Sequence, residues 1–169
     1  MFDSIITTSQ AKNAVDENNG TFVLLRLKDD FENILNGSKT MEILKSSCWN
    51  LKAPFFVLCC NDEDDKIIGS FICNKIDDLY CPVELPNISS LEQLPYHTKQ
   101  WLVQSGLTYY QLCAMAKRRQ RLYGWVVNSP VALDLPLMAI GEEYPPQAWK
   151  YLSLTGIQAQ LALAGASAL

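Results

Sequence analysis

A lysine set between two hydroxyls, Ser38-Lys39-Thr40, is the first group whose residue types and spacing could hold a ligand. It follows a glycine stop and opens onto Met41-Glu42-Ile43, so a cation and a carboxylate fall close together in sequence. The turn either faces a cleft or is simply solvated. Asp29, Asp30 and Glu32 just before it oppose a strong phosphate trap there. A second candidate is the basic run Lys117, Arg118 and Arg119 with Arg121, the single basic cluster of an acidic chain. Cations at that point either complement the end of a helix or form a phosphate-facing patch. Asp64-Asp65 and Glu142-Glu143 are sequence neighbours, so in extended segments their carboxylates point apart and solvate loops. No G-x-S-x-G, Walker lysine or Rossmann glycine pattern is present.

The elements that must position these residues are legible from residue 22 to 45. FVLLRL reads as a strand, and Asp29 with Glu32 reads as the cap of a short helix. Phe31, Ile34 and Leu35 share one face of that helix and call for cover. Gly37 supplies the left-handed residue that stops it. A second strand then begins near Met41. Further on, 55–60 (FFVLCC) reads as a buried central strand, and 61–65 as an acidic hairpin tip. The next strand spans 67–76, with Gly69 where a bulge or a close backbone approach belongs. Residues 77–90 read as loop. One helix is expected over 91–104, broken near Pro95, and a second from Thr108 as N-cap through Arg119, with Leu112, Met115 and Ala116 inward. Then come a strand over 122–127, a turn at Asn128-Ser129-Pro130 and a closing strand near Trp149. The domain is expected over 21–153, with an extension over 1–20 carrying a short helix at 10–17, and an uncharged Ala- and Leu-rich C-terminal helix over 154–169. Short strands with helical insertions suit a small curled barrel better than a parallel βαβ sheet.

Bulk properties narrow the partners. Hydrophobic residues make up 49% and charged residues 19%, a globular balance, and the net charge of −4 argues against nonspecific coating of nucleic acid. A local basic groove stays compatible with it. Six cysteines without a C-x-x-C pair, beside the lone His97, give no metal site and no cofactor is expected. The thiols are read as reduced, the N-terminus as no signal peptide and the chain as cytoplasmic, with no run long enough to cross a membrane.

Four segments in register resemble the ASCH (activating signal cointegrator homology) family, whose fold is PUA-like. They are Gly37-Ser38-Lys39-Thr40 with Met41-Glu42-Ile43, Ile68-Gly69-Ser70-Phe71, Leu107-Thr108-Tyr109 leading to Tyr123-Gly124-Trp125, and Asp134-Leu135-Pro136 with Pro145-Pro146-Gln147-Ala148-Trp149. The last is similar to the Pro-Pro-Gln-Ser-Trp ending of small bacterial and phage members. The resemblance implies an α+β fold: a small mixed β-barrel with helical insertions and a cleft for RNA or a nucleotide-like ligand. Lys39, Thr40 and Glu42 map onto the cleft. Lys45, Arg118 and Arg119 are candidate phosphate contacts, and Trp125 and Trp149 either stack a base or pack in the core. Met41 and Ile43 are expected to line the barrel interior, leaving Glu42 to pair with Lys39. The family often has arginine where this chain has Leu44, and histidine where it has Val126, so two ligand donors are missing.

Some small members hydrolyse acetylated cytidine nucleosides with a Lys, a Thr and a Glu. Lys39 fills the lysine position, but Glu42 stands at the hydroxyl position and Ser105 at the glutamate position. The reading is therefore a noncatalytic RNA- or modified-nucleotide-binding protein. The alternatives are that amidohydrolase, or a phage or mobile-element factor that binds a protein through its acidic surface or C-terminal helix.

Overall fold

The computed structural model describes residues 18, 21–27, 31–46, 50–61, 66–80, 91–116, 121–138 and 149–152. Several expectations lie outside them: the helix at 10–17, the Asp29 cap, Cys48, Cys81, the acidic turn at 62–65, Lys117, Arg118 and Arg119, the Pro145-Pro146 segment and the C-terminal helix.

The opening unit forms as its residues dictate. Strand β1 (Phe22–Leu27) leads to helix α1 (Phe31–Leu35), which buries Phe31 and Ile34 but leaves Leu35 exposed, contrary to the expected three-residue face. Gly37 closes the helix at φ 78°, a conformation that costs glycine no Cβ clash. The Lys39 N–H then donates to the Asn33 carbonyl (2.9 Å), which ties the start of β2 (Met41–Leu44) to the end of α1.

Strand β3 (Phe55–Asn61) pairs parallel with β1 and antiparallel with β4 (Lys66–Tyr80). Strand β4 continues past the expected end at 76 into what the sequence suggested was loop. Its partner β5 (Arg121–Met138) also runs unbroken through Asn128-Ser129-Pro130. Those turn residues are absorbed as a bulge: Ser70 faces Val131 and Ile72 faces Asn128, so two residues of β5 oppose one of β4, with Ser129 at φ 48°. Strand β6 (Trp149–Leu152) adds to the free side of β1, giving the order β2-β5-β4-β3-β1-β6.

The sheet is strongly curled. Laid flat, six strands would hold their outer members about 24 Å apart at the usual spacing of about 4.8 Å. Instead the Trp149 Nε1 on β6 donates to Ser46 Oγ, just beyond β2, at 3.1 Å. The result is a half-barrel, and its lumen holds Val23, Leu25, Phe55, Val57, Phe71 and Trp125 in one buried cluster. Helices α2 (Tyr96–Ser105) and α3 (Tyr109–Ala116) cover the outside near β2. A 3-10 turn (Leu91–Gln93) and Pro95 precede α2, where the interruption was expected. Thr108 caps α3: its Oγ1 accepts from the Gln111 N–H (3.2 Å) while Gln111 Oε1 accepts from the Thr108 N–H (2.8 Å).

Gly69 is the place where α1 meets the sheet. A Cβ there would overlap the Phe31 ring and stand 2.5 Å from the Val131 carbonyl oxygen, a backbone atom that cannot step aside. Gly69→Ala is expected to cost about 1–3 kcal/mol, the usual range for overpacking. A urea midpoint equal to that of the unaltered chain would refute this packing.

Candidate functional site

Three backbone hydrogen bonds fix the Ser38-Lys39-Thr40 turn. Besides the bond from Lys39 to α1, the Thr40 N–H donates to the Gln104 carbonyl at the end of α2 (2.8 Å), and the Thr40 carbonyl accepts from Val127 on β5 (2.9 Å). The turn is thus clamped by a helix on either side and by the sheet. One of the four carbonyls that α2 leaves without an intrahelical donor is satisfied in the process.

From that anchor, β2 alternates its side chains. Met41 and Ile43 pack outward with Trp101, Leu112, Ala116 and Leu122 beneath the two helices. This reverses the expectation that they line the interior. Leu44 joins the lumen cluster with Trp125, and Glu42, on the same side of the strand, enters the lumen too. Its register partner on β5 is Trp125. Directly opposed residues hold their Cβ atoms about 4.5–5.5 Å apart, so carboxylate and indole are cross-strand neighbours.

Lys39 reaches into the same space and is only 5% exposed. Its Nζ lies 2.7 Å from Glu42 Oε2, a charge-assisted contact with both side chains largely withdrawn from water. Trp125 is 0% exposed, with Phe55 edge-on at 5.2 Å between ring centroids and Trp149 tilted at 5.9 Å. The choice left open between base stacking and core packing falls to the core for both indoles. Trp125 Nε1 has no hydrogen-bond partner.

The structure therefore brings Lys39, Glu42 and Trp125 together. Thr40, mapped onto the cleft with Lys39 and Glu42, is exposed at the entry to β2, and Lys45 is exposed just past its end. Ser105 is buried, and its Oγ accepts from the Leu107 N–H (3.3 Å) in the turn between α2 and α3. No group of His, Cys, Asp and Glu side chains among the described residues is placed to hold a metal ion.

Cys59 was not singled out from the sequence. It sits fully buried in the lumen cluster, within electrostatic reach of the pair. Burial pushes its thiol well up, the Glu42 carboxylate and Cys60 push the same way, and the Lys39 ammonium pulls back. No local pattern links Cys59 to Lys39; only the pairing of β3 with its neighbours does so. Burial also pushes Cys73 from 9.0 up to about 12.

That shift has a sign. The unfolded thiol loses its proton near 9.0 while the folded one holds it to about 12, so the unfolded state sheds protons first. The contribution of Cys73 to stability is complete below 9.0 and falls as pH rises through this window. Urea midpoints are expected to drop between pH 8 and pH 11, and Cys73→Ala should flatten the drop; equal slopes would contradict it. Native-state alkylation followed by peptide mapping should mark the half-buried Cys113 well before Cys59 or Cys73.

The half-barrel with its two covering helices is an α+β, PUA-like architecture of the ASCH type. An ASCH protein from Zymomonas mobilis shares it, with a TM-score of 0.60 at 12% identity over 84% of this chain and 94% of that one. A serine-to-alanine variant of that protein matches with a TM-score of 0.59 at 14% identity (84% and 95% covered), and a tyrosine-to-phenylalanine variant with 0.58 at 15% (84% and 97%). At such identities the likeness establishes the fold, in agreement with the motif resemblance, and leaves the chemistry to this chain's own residues. No protein-family model matches the sequence, and no curated protein does. No helix among the described residues is long and apolar enough to cross a membrane.

Proposed function

We propose that the chain is a noncatalytic binding module for a nucleotide-like ligand, and that it reads a base edge with the Lys39–Glu42 pair. The buried contact at 2.7 Å, beside Trp125 at the lumen, carries the reading. A buried ion pair contributes little to stability, and apolar residues of like volume would fill the space as well. Its groups are nevertheless those a base edge needs. A carboxylate accepts from an exocyclic amino group, and an ammonium donates to a ring nitrogen or a carbonyl.

Two contacts favour binding over hydrolysis. The lysine is held by a carboxylate where the hydrolytic pattern requires a hydroxyl, and Ser105, standing at the glutamate position, is engaged in a helix turn. With Trp125 enclosed by Phe55 and Trp149, recognition falls to the base edge rather than to stacking on that indole.

Calorimetric titration with the four common ribonucleosides tests this. Cytidine, adenosine and guanosine carry an amino group that Glu42 can accept from, and they are expected to bind about tenfold or more tighter than uridine. The double change Lys39→Met with Glu42→Leu, which takes away both base-edge groups, should erase that preference. Uridine binding equal to cytidine binding would overturn the reading. Acetate release from acetylcytidine at high protein concentration would overturn its noncatalytic part.

A further inference from the structure

The turn that delivers Lys39 begins with an asparagine followed by a glycine, Asn36-Gly37. Gly37 stops α1, but nothing in the base-edge reading gives Asn36 a role. An asparagine carries its own electrophile, the amide carbon Cγ, one short reach from the backbone nitrogen of the next residue. Three features of this turn set that carbon against the Gly37 nitrogen. The Asn36 N–H still donates to the Glu32 carbonyl (3.0 Å), so the last turn of α1 holds the backbone up to this point. Asn36 Oδ1 accepts from the Ser38 N–H at 2.9 Å, which folds the side chain over the intervening peptide. The same N–H polarises the amide carbonyl, as a donor does wherever negative charge develops on an oxygen under attack. The Gly37 nitrogen itself is loosely held, donating to the Ile34 carbonyl at 3.3 Å, a long and weak bond.

The surroundings leave room for the attack. Asn36, Gly37 and Ser38 are all exposed, and beyond the adjoining residues no atom lies within 4 Å of where a Cβ on Gly37 would stand. Asn33, Asn50 and Asn74 are exposed too, but Ile34, Leu51 and Lys75 follow them, and a side chain on the attacking residue crowds its nitrogen. The other Asn-Gly pair, Asn19-Gly20, lies outside the described residues. The position of Asn36 also gives the reaction a consequence. The Lys39 N–H and Ser38 Oγ both reach back to the Asn33 carbonyl (2.9 and 3.2 Å), closing a loop of chain that runs through Asn36 and Gly37.

We propose that Asn36 is a self-modification site: the Gly37 nitrogen attacks Asn36 Cγ, the residue converts to isoaspartate or aspartate, and the isoaspartate loosens the anchor of Lys39. The Gly37 nitrogen gives up its proton as the N–Cγ bond forms and the Cγ–Nδ2 bond breaks. The side-chain nitrogen leaves with that proton as ammonia, and a cyclic imide remains. Water then opens the ring. Addition at the Asn36 backbone carbonyl carbon leaves the main chain running through Cγ, as isoaspartate. Addition at Cγ restores the ordinary chain, as aspartate. In either case water supplies the oxygen of the new carboxyl group and returns a proton to the Gly37 nitrogen. Isoaspartate lengthens the loop between Asn33 and Lys39 by one main-chain carbon, which shifts the bonds that close it and slackens the support of the Lys39–Glu42 pair. The chemistry needs no ligand, so it stands or falls apart from the base-edge reading.

Incubating the full chain in mildly alkaline buffer, folded and in guanidinium chloride, tests this, with peptide mapping by mass spectrometry and an isoaspartyl methyltransferase as probe. Asn36 is expected to show the mass change of NH2 replaced by OH, and its peptide to accept methyl groups, before Asn33, Asn50 or Asn74 changes. Because the turn presents the pair already folded for attack, the native chain should convert at least as fast as the unfolded one. In the isoaspartate fraction, hydrogen exchange at the Lys39 amide should be faster than in fresh protein. Asn36→Gln, whose longer side chain must close a larger ring, should stay unmodified at this position and keep the circular dichroism of the unaltered chain. Slower conversion in the folded chain than in guanidinium chloride would overturn the proposal. So would an intact Asn36 in protein where Asn50 or Asn74 has changed, or unaltered exchange at Lys39 in the isoaspartate fraction.

Discussion

Lys39→Met is expected to destabilise the chain by about 3–5 kcal/mol, the usual penalty when one partner of a buried ion pair is removed. The loss does not measure what the pair contributes. It is the cost of leaving the Glu42 carboxylate in a lumen lined by Leu44, Phe55 and Trp125 without the Lys39 ammonium. The double change Lys39→Met with Glu42→Leu removes both charges and should return most of the stability, since apolar replacement of a buried pair is often neutral or favourable. Urea unfolding followed by circular dichroism separates the two cases. At a slope of roughly 2 kcal/mol per molar, the single variant's midpoint should fall by about 2 M, and the double variant's should lie near that of the unaltered chain. If both fall equally, Lys39 acts through its aliphatic stem and the ion pair is incidental.

Trp125→Ala is expected to cost a similar about 3–5 kcal/mol, for a different reason. The indole is wholly enclosed and joins opposite sides of the curled sheet, meeting Phe55 on β3 and Trp149 on β6. Removing it opens a cavity where β2, β3, β5 and β6 converge. Trp125→Phe keeps one ring and gives up the smaller ring of the indole with an N–H that has no partner, so it should cost clearly less. In thermal unfolding the alanine variant should melt about 10 °C or more lower, with the phenylalanine variant between the two. An alanine variant that melts with the unaltered chain would mean that the half-barrel does not close around this ring.

The opening unit was legible because its signals are local: Gly37 needs only its own φ, and the strand–helix–strand rhythm of 22–44 needs only its neighbours. The side of β2 that faces the lumen was not. Alternation tells that Met41 and Ile43 share a face, never which one, and here both faces are covered: one by the lumen, the other by α2 and α3. Apolar residues were therefore no guide, and the charged Glu42 went inside because Lys39 meets it there. The turn read at Asn128-Ser129-Pro130 was overridden by a long-range ladder, since β4 continues alongside and the extra residue bulges out. Cys59 was invisible for the same reason, because register with distant strands brings it near the pair. The parallel pairing of β1 with β3 likewise leaves no local trace.

The most direct test follows the Trp125 indole N–H in a nitrogen-15 correlation spectrum while cytidine is added, the resonance being identified by its loss in Trp125→Phe. If the Lys39–Glu42 pair reads a base edge, this signal should shift in a saturable manner, and the double change Lys39→Met with Glu42→Leu should abolish the shift. A spectrum in which cytidine moves other resonances but leaves the Trp125 indole unmoved, or moves it equally in the Lys39→Met, Glu42→Leu double variant, would contradict the assignment of the lumen as the ligand site.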